Sequence, residues 1–297
     1  MKIIVAVDQN PYSSRAVSEV AKLAANTWAN VSLIGVQPKN ALGKNQSVSQ
    51  IDPASAIGPV PQALFTLRKR FLSHFDQKNC PYRFIESEEQ LTAVTGGTYE
   101  VSTLNGDSKK RLNLRLRTGV AGKEILAEAR EKESDLIVLG CDQSKSCSWD
   151  GAAGLPRKVA TDAPCSVLIV KKKNNVKRIM CCLDQDRVSQ SSLEMINQMV
   201  TLHDAQLTIV GLAESLSLKA DVEKNMNKIL HYYQDHQINP WIELVEIKAL
   251  DAFIAQASKW GLIALWMGKQ SILEKALPRN KVNKLIKGGD ASVLILR

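Results

Sequence analysis

The chain has 297 residues, with 39 Lys and Arg against 30 Asp and Glu and a net charge of +9 at neutral pH. At roughly 100 to 200 residues per domain, this length predicts two domains, each large enough to bury its own core. No window holds the roughly 18 consecutive apolar residues of a membrane span, and no signal-peptide pattern precedes the first apolar run. We therefore expect a cytoplasmic protein that makes no membrane contact.

The first part of the chain alternates predicted strands and helices. An apolar run at 2–7 ends at Asp8, and a third core strand is predicted at 112–118. Two stretches exceed what this alternation needs. Residues 38–61, rich in Ser, Asn, Gln, Pro and Gly, predict a long loop, and residues 81–111 hold an added β-hairpin, because alternating residues flank an Asn-Gly turn.

The second part shows the same alternation without the insertions. Apolar or β-branched runs and stretches with helical spacing follow one another from residue 177 to residue 296. Strands that alternate with helices predict a parallel sheet covered on both faces. The predicted fold class is α/β, with two tandem doubly wound, Rossmann-like domains of about five core strands each.

These two parts are copies of one unit. The segment SDLIVLG, a loop and RKVATDAPCSVLIV at 134–170 return as WGLIALWMG, a loop and NKLIKGGDASVLIL at 260–296, and Asp8 corresponds to Asp184. A repeat this long is a domain duplication, since the units of solenoids span only about 20 to 50 residues. We expect domains at 1–173 and 174–297, with the seam in the polar stretch 171–175.

The strand that ends in Asp8, the DLIVLG run and the closing APCSVLIV resemble the universal stress protein family in its tandem form, whose fold is also described as adenine nucleotide α-hydrolase-like. The resemblance covers nearly the whole chain apart from the two insertions. It implies a stress-response or regulatory binding protein. It also implies an intrachain pseudo-dimer in which the strands at 167–170 and 293–296 meet, and it leaves a homodimer of the whole chain open.

Many members of that family bind ATP through a glycine loop, G-x2-G-x9-G-(S/T), after the fourth strand, where backbone N–H groups and a helix N-terminus hold the phosphates. Here Gly140 keeps the first position, whereas Gln143, Ala153 and Gly154 stand at the others. The glycines of the GAAG segment could restore part of this anion site. The residues that the resemblance assigns to an adenine nucleotide are Asp8, Val36, Gly140, Gln143, Gly151, Ala153, Gly154 and Leu155.

A structural interpretation of the same residues stands beside this one. Asp8 or Asn10 can cap the first helix, with Pro11 at its first position. The second copy keeps Asp184, yet the loop after Gly268 contains no glycine and predicts no phosphate site. Retention of the aspartate in both copies favours the structural role for at least Asp184.

Other chemistry has weak support in the sequence. No nucleophile elbow, Walker-type loop or HExxH is present, so we name no catalytic residue and expect at most slow ATP hydrolysis. Buried reduced thiols are the favoured interpretation of the six cysteines. A redox or metal sensor that uses Cys141, Cys147 and Cys165 remains an alternative, but no metal ligand set is assigned.

The strand at 109–117 alternates basic residues with Leu112, Leu114 and Leu116. We interpret this basic ladder as edge protection, because positive charges discourage pairing between strand edges. A polyanion surface is the alternative, although aromatic residues make up only 5% of the chain and nucleic acid is not an expected partner.

Three hypotheses follow. In the first, both nucleotide loops are degenerate and the protein acts through protein partners, with the long loop and the hairpin of the first copy as partner surface. In the second, the first copy binds ATP or another adenine nucleotide. In the third, the cysteines sense redox state or metal.

Overall fold

A computed structural model gives the fold, and it describes residues 1–38, 50–51, 58–76, 78–82, 91–94, 98–101, 110–142, 149, 154–171, 176–182, 188–213, 220–257, 259, 261–267, 282–283, 285–286 and 289–297. The chain divides into two compact units, Met1–Cys165 and Ser166–Arg297. The predicted seam at 171–175 lies close to this division, and 172–175 fall outside the described residues.

The first unit contains eleven described elements. They are β1 (Lys2–Val7), α1 (Pro11–Asn26), β2 (Asn30–Gln37), β3 (Gln50–Ile51), α2 (Pro59–Leu72), β4 (Leu91–Val94), β5 (Thr98–Val101), β6 (Leu112–Thr118), α3 (Ala121–Glu131), β7 (Leu136–Gly140) and α4 (Leu155–Asp162). The strand order is β7-β1-β2-β6-β5-β4-β3. The first four strands are parallel, and β5, β4 and β3 follow beyond β6, each antiparallel to the strand before it.

The second unit contains nine described strands and α-helices, besides a short 3-10 helix at Ile247–Ala249. They are β8 (Ser166–Val170), β9 (Arg178–Cys182), α5 (Gln190–His203), β10 (Gln206–Ala213), α6 (Ala220–Asp235), β11 (Trp241–Glu246), α7 (Leu250–Ala257), β12 (Gly261–Trp266) and β13 (Ser292–Leu296). The order β11-β10-β9-β12-β13-β8 is parallel from β11 to β13. β8 pairs antiparallel with β13, Leu168 opposite Leu294, so the expected pairing of 167–170 with 293–296 is present.

These strands follow from their composition. β1, β7, β8, β12 and β13 are apolar and buried almost throughout, as expected of parallel strands covered on both faces. Counted by the sequence repeat, each copy has five core strands, β1, β2, β6, β7 and β8 in the first and β9 to β13 in the second. The predicted α/β fold class is confirmed.

The insertions of the first copy extend its sheet. β5 pairs antiparallel with β6, with Tyr99 opposite Leu116, so the predicted hairpin is present, although its Asn-Gly turn lies outside the described residues. The segment at 38–61 is not loop alone, because it contributes β3 and the first turn of α2. Gly35 of β2 lets α2 approach, since a Cβ there would lie 2.6 Å from a methyl group of Val60.

Candidate functional site

The candidate site lies where β1 and β7 end in the first unit. β1 continues through α1 to β2 on one side of the sheet and pairs with β7 on the other, so the strand order reverses at β1. Asp8 follows β1, Gly140 ends β7, and Val36 lies near the end of β2. Open α/β sheets bind their ligands at such a point.

Asp8 is already engaged by its own loop. Its carboxylate accepts hydrogen bonds from the Asn10 backbone N–H at 3.0 Å, the Asn10 amide at 2.7 Å, the Ser13 hydroxyl at 2.7 Å and the Tyr12 hydroxyl. Only 6% of Asp8 is exposed. Asn10 precedes α1 without a side-chain cap bond, so Asp8 organises this turn and Asn10 does not cap the helix. The structural interpretation of Asp8 therefore fits its surroundings.

Gly140 is explained by packing against α1. A Cβ at this position would collide with the Tyr12 backbone carbonyl, so only glycine allows the start of α1 to lie so close to β7. The Trp149 indole N–H donates to the Gly140 carbonyl at 3.1 Å, and the Trp149 and Tyr12 rings lie 5.6 Å apart. Both aromatic residues are buried. Protein groups thus occupy the space next to Gly140.

The start of α4 keeps one feature of an anion site. Gly154 has φ of +77°, a left-handed conformation that favours glycine, and it stands at the N-cap of α4. The first turn of α4 contains no acidic residue, and the Arg157 guanidinium lies beside Gly154. Leu155 is buried, so its side chain belongs to the core.

The eight residues assigned to a nucleotide have different places in the structure. Asp8 and Gly140 both contact Tyr12, whereas Val36 is half-buried and paired in register with Arg117 of β6. Gln143, Gly151 and Ala153 lie outside the described residues. Tyr12, Ser13 and Trp149 are not among the residues predicted from the sequence. The available signal was a tryptophan within an otherwise polar loop.

The second copy differs at the position of Gly140. Asp8 corresponds to Asp184, so Ile3 corresponds to Ile179, and these residues pair with Leu136 and Leu262. Gly140 lies four positions after Leu136, and Trp266 lies four positions after Leu262, so Gly140 corresponds to Trp266. The expected correspondence of Gly140 to Gly268 is therefore wrong.

Trp266 is buried, and its indole N–H has no hydrogen-bond partner among the described residues. α5 begins six positions after Asp184, whereas α1 begins three positions after Asp8. The connection that follows the aspartate is therefore three residues longer in the second copy. Asp184 and Gly268 themselves lie outside the described residues.

The interpretation of the basic ladder as edge protection is wrong. β6 is not an edge strand, because β2 and β5 flank it, and the side chains of Arg115 and Arg117 are buried against α3. Glu128 of α3 lies 3.1 Å from Arg115 and 3.5 Å from Arg117. Arg115 also faces Glu100 of β5 at 3.4 Å, and Arg117 forms a 2.8 Å ion pair with Glu131.

We call Arg115, Arg117, Glu100, Glu128 and Glu131 the β6 ion network. Burial raises the pKa of Glu128, and the two arginines oppose that effect. Because these arginines are buried and paired with carboxylates, they do not form a surface that binds polyanions. The polyanion-binding interpretation of the basic ladder therefore loses its main support.

The cysteines differ from one another. Cys141 is disulfide-bonded, which corrects the expectation of reduced thiols for that residue. Cys80, Cys165, Cys181 and Cys182 are not in disulfides, and burial raises the pKa of the Cys182 thiol to about 12 and that of Cys181 well above its usual value. Such thiols are unreactive, because the thiolate is the nucleophile. The described residues contain no cluster of three or more His, Cys, Asp or Glu that could hold a metal ion.

Solved structures identify the fold. A universal stress protein from Archaeoglobus fulgidus DSM 4304 superposes with a TM-score of 0.59 and 12% identity, over 100% of this chain and 96% of that one. A functionally unknown protein from Pseudomonas aeruginosa PAO1 gives a TM-score of 0.59 and 15% identity, over 99% and 92%. The chain therefore has the fold of the universal stress proteins over its whole length.

Sequence comparison adds no further assignment. No protein-family model matches the chain, and no curated protein matches its sequence. Across the described helices, none is both long and apolar enough to cross a membrane.

Proposed function

We propose that the protein is a tandem universal stress protein that acts as a regulatory binding protein through contacts with other proteins, without using a nucleotide. The observation that carries this proposal is a buried tryptophan at the end of the fourth parallel strand in each copy. In the first copy Trp149 packs beside Gly140, and in the second copy Trp266 takes the place of that glycine. In each copy an indole therefore lies at, or packs beside, the first position of the glycine loop.

Two features support a structural origin for the residues that resemble a nucleotide site. The Asp8 carboxylate has four donors in its own turn and little exposed surface, so a ribose hydroxyl would have to displace one of them. Gly140 is required by the Tyr12 carbonyl whether or not a phosphate binds. Their retention is therefore no argument for nucleotide binding.

The test is a calorimetric and thermal-unfolding titration of the full chain with ATP, ADP, AMP and cyclic nucleotides, with and without magnesium. A ligand at about 100 times its dissociation constant stabilises a protein by roughly 2.7 kcal/mol. We expect no stabilisation and no binding heat at millimolar nucleotide. Binding with a micromolar dissociation constant would contradict the proposal.

The second candidate function is adenine nucleotide binding in the first copy, and the left-handed Gly154 beside Arg157 favours it. Two variants of Gly154 separate this candidate from the proposal. Gly154→Asp places a carboxylate at the N-terminus of α4, whereas Gly154→Asn has nearly the same shape without the charge and tolerates left-handed backbone. Nucleotide binding that survives in the Asn variant and disappears in the Asp variant would establish a phosphate site there.

The redox alternative is supported by the disulfide of Cys141. Alkylation of the folded protein with and without a reductant, followed by mass spectrometry, tests it. A Cys141 thiol that reacts after mild reduction would favour a redox role. Protection of Cys141 under the same conditions, while Cys80 and Cys165 react, would exclude it.

A further inference from the structure

β11 is the outermost described strand of the second unit, and it exposes apolar side chains. Trp241 is 64% exposed, Ile242 41% and Leu244 38%. Edge strands present unpaired backbone N–H and C=O groups and usually carry charges or proline as protection. β11 has Pro240 before it, yet three of its six residues are large, apolar and exposed.

The first copy shows how the equivalent edge is covered. The strands NVSLIGVQ of β2 and QLTIVGLA of β10 correspond residue by residue, so Gly35 matches Gly211. Gly35 pairs with Leu116 and Gly211 pairs with Leu244. Leu116 is therefore the counterpart of Leu244, and Leu114 is the counterpart of Ile242.

These counterparts differ sharply in exposure. Leu114 is 1% exposed and Leu116 0%, whereas Ile242 and Leu244 expose about 40% of their surface. Part of the cover in the first copy is β5, which runs antiparallel along β6 with Tyr99 opposite Leu116. None of the described strands takes the place of β5 in the second copy.

The charges at the corresponding positions of β6 and β11 have opposite signs. Arg115 of β6 lies opposite Glu100 of β5, and their charged groups are 3.4 Å apart. The counterpart of Arg115 in β11 is Glu243, which is exposed. A strand bound to β11 in the same register would therefore place a basic residue where β5 has Glu100.

We propose that β11 binds an extended segment of a partner protein, antiparallel to β11, with alternating apolar side chains and a Lys or Arg opposite Glu243. This inference rests on the proposed function, because it supplies the protein contact that a binding role requires. A second copy of this chain is a poor occupant. The only charges of β11 are Glu243 and Glu246, so two β11 strands paired around a two-fold axis would bring acidic residues together.

The probe is a pair of synthetic peptides with the sequence of residues 97–102, one unchanged and one carrying Glu100→Lys. Binding to the full-length protein is followed by calorimetry and by backbone amide chemical shifts. We expect the Lys peptide to shift the amides of residues 241–246 and to bind about tenfold more tightly than the Glu peptide. In a Glu243→Lys protein this preference should reverse.

Matched variants distinguish peptide binding at β11 from nonspecific binding to exposed apolar side chains. Trp241 and Trp28 are both 64% exposed, so Trp241→Ala should weaken the Lys peptide while Trp28→Ala leaves its affinity unchanged. Leu244→Lys should weaken it as well, since an edge lysine discourages strand pairing. Thermal unfolding checks that each variant is folded.

Three outcomes would overturn the inference. They are no shift of the 241–246 amides at millimolar peptide, a preference for the Lys peptide that Glu243→Lys does not change, and a dimer of the free protein in sedimentation that Leu244→Lys disperses. The last outcome would make a second copy the occupant. None of these results depends on the nucleotide titrations, so a failure here is distinguishable from a failure of the proposed function.

Discussion

β6 and β11 hold the same position in the two copies, yet one is an interior strand and the other is an edge. In the first copy an inserted hairpin extends the sheet beyond β6, and in the second copy the described sheet stops at β11. An interior strand must compensate any charge that it buries. Arg115 accordingly has acidic partners on both β5 and α3, and Arg117 has acidic partners on α3.

β11, the counterpart of β6, has neither of the two arginines. Where β6 has Arg117, β11 has the buried Val245, and where β6 has Arg115, β11 has the exposed Glu243. α7, the counterpart of α3, has Asp251 as its only charged residue. The insertion supplies one member of the β6 ion network, Glu100, and the copy without the insertion has no counterpart of the two arginines.

The largest expected effect comes from Glu128→Ala, which leaves Arg115 and Arg117 buried with less compensation. Removing one partner of a buried ion pair costs about 3 to 5 kcal/mol. We expect a loss of this size in the unfolding free energy, measured by urea denaturation. Glu243→Ala is the control in the second copy and should change stability by less than about 0.5 kcal/mol, because its side chain is exposed. Equal losses in both variants would show that the two strands do not differ in this way.

The fold could be predicted from the sequence because its evidence is local and repeated. Apolar runs such as KIIVAV and their alternation with helical stretches give the strand count, whereas the meeting of 167–170 with 293–296 is implied by the resemblance to the universal stress protein family. The Asn-Gly turn with alternation on both sides gave the pairing of β5 with β6. Each of these signals depends on neighbouring residues only.

The surroundings of the charged residues could not be predicted in the same way. An alternation of basic residues with leucine is the same on an edge strand and on an interior strand with acidic partners, and the partners of Arg115 come from distant positions, Glu100 and Glu128. In the candidate site, the place of Asp8 at the end of β1 was evident from the sequence. The hydrogen bond that the Tyr12 hydroxyl donates to the Asp8 carboxylate was not, because it depends on how α1 follows β1. The match of Gly140 to Trp266 required the strand register.

A second test compares one buried lysine from each unit. Lys171 in the second unit donates to the carbonyls of Leu285 and Gly289 at 2.9 and 2.6 Å, and burial lowers its pKa from the usual 10.5 to about 8. Lys110 in the first unit donates to the carbonyls of Ala24 and Thr27, both at 2.8 Å, and burial lowers its pKa as well.

The sign of the pH effect follows from proton binding. Between about pH 8 and 10.5 the unfolded chain holds the proton of Lys171 and the folded chain has released it, so the folded state gains stability as the pH rises. Relative to Lys171→Met, the wild-type protein should gain about 3 kcal/mol over this range. The gain relative to Lys110→Met should be smaller, because the rings of Trp28 and Tyr82 lie 5.8 and 5.7 Å from its ammonium group and favour the charge. A gain that is larger for Lys110 would contradict this account.

Gly140→Ala tests whether the first copy needs glycine for packing. The new Cβ would meet the Tyr12 carbonyl, a backbone group that moves only together with the start of α1. We expect a loss of about 2 kcal/mol, in the range typical of overpacked cores. Gly122→Ala is the matched control. Its Cβ would lie 3.1 Å from Lys158 Cδ, a side-chain atom that can shift, so stability should change by less than about 1 kcal/mol. Equal effects would remove the packing explanation for Gly140.

The smallest effect concerns the two helix starts that follow the corresponding aspartates. α5 begins with Ser189 as N-cap, whose hydroxyl accepts from the Ser192 backbone N–H at 3.2 Å, whereas Asn10 makes no such bond at the start of α1. Ser189→Ala should therefore cost about 1 kcal/mol. Asn10→Ala also removes an amide that donates to Asp8, so its cost should depend on that aspartate. In a double-mutant cycle with Asp8→Asn, Asn10→Ala should show coupling, because the two side chains are hydrogen-bonded. Additive effects of Asn10→Ala and Asp8→Asn would mean that the Asn10 side chain supports the start of α1 independently of the Asp8 carboxylate.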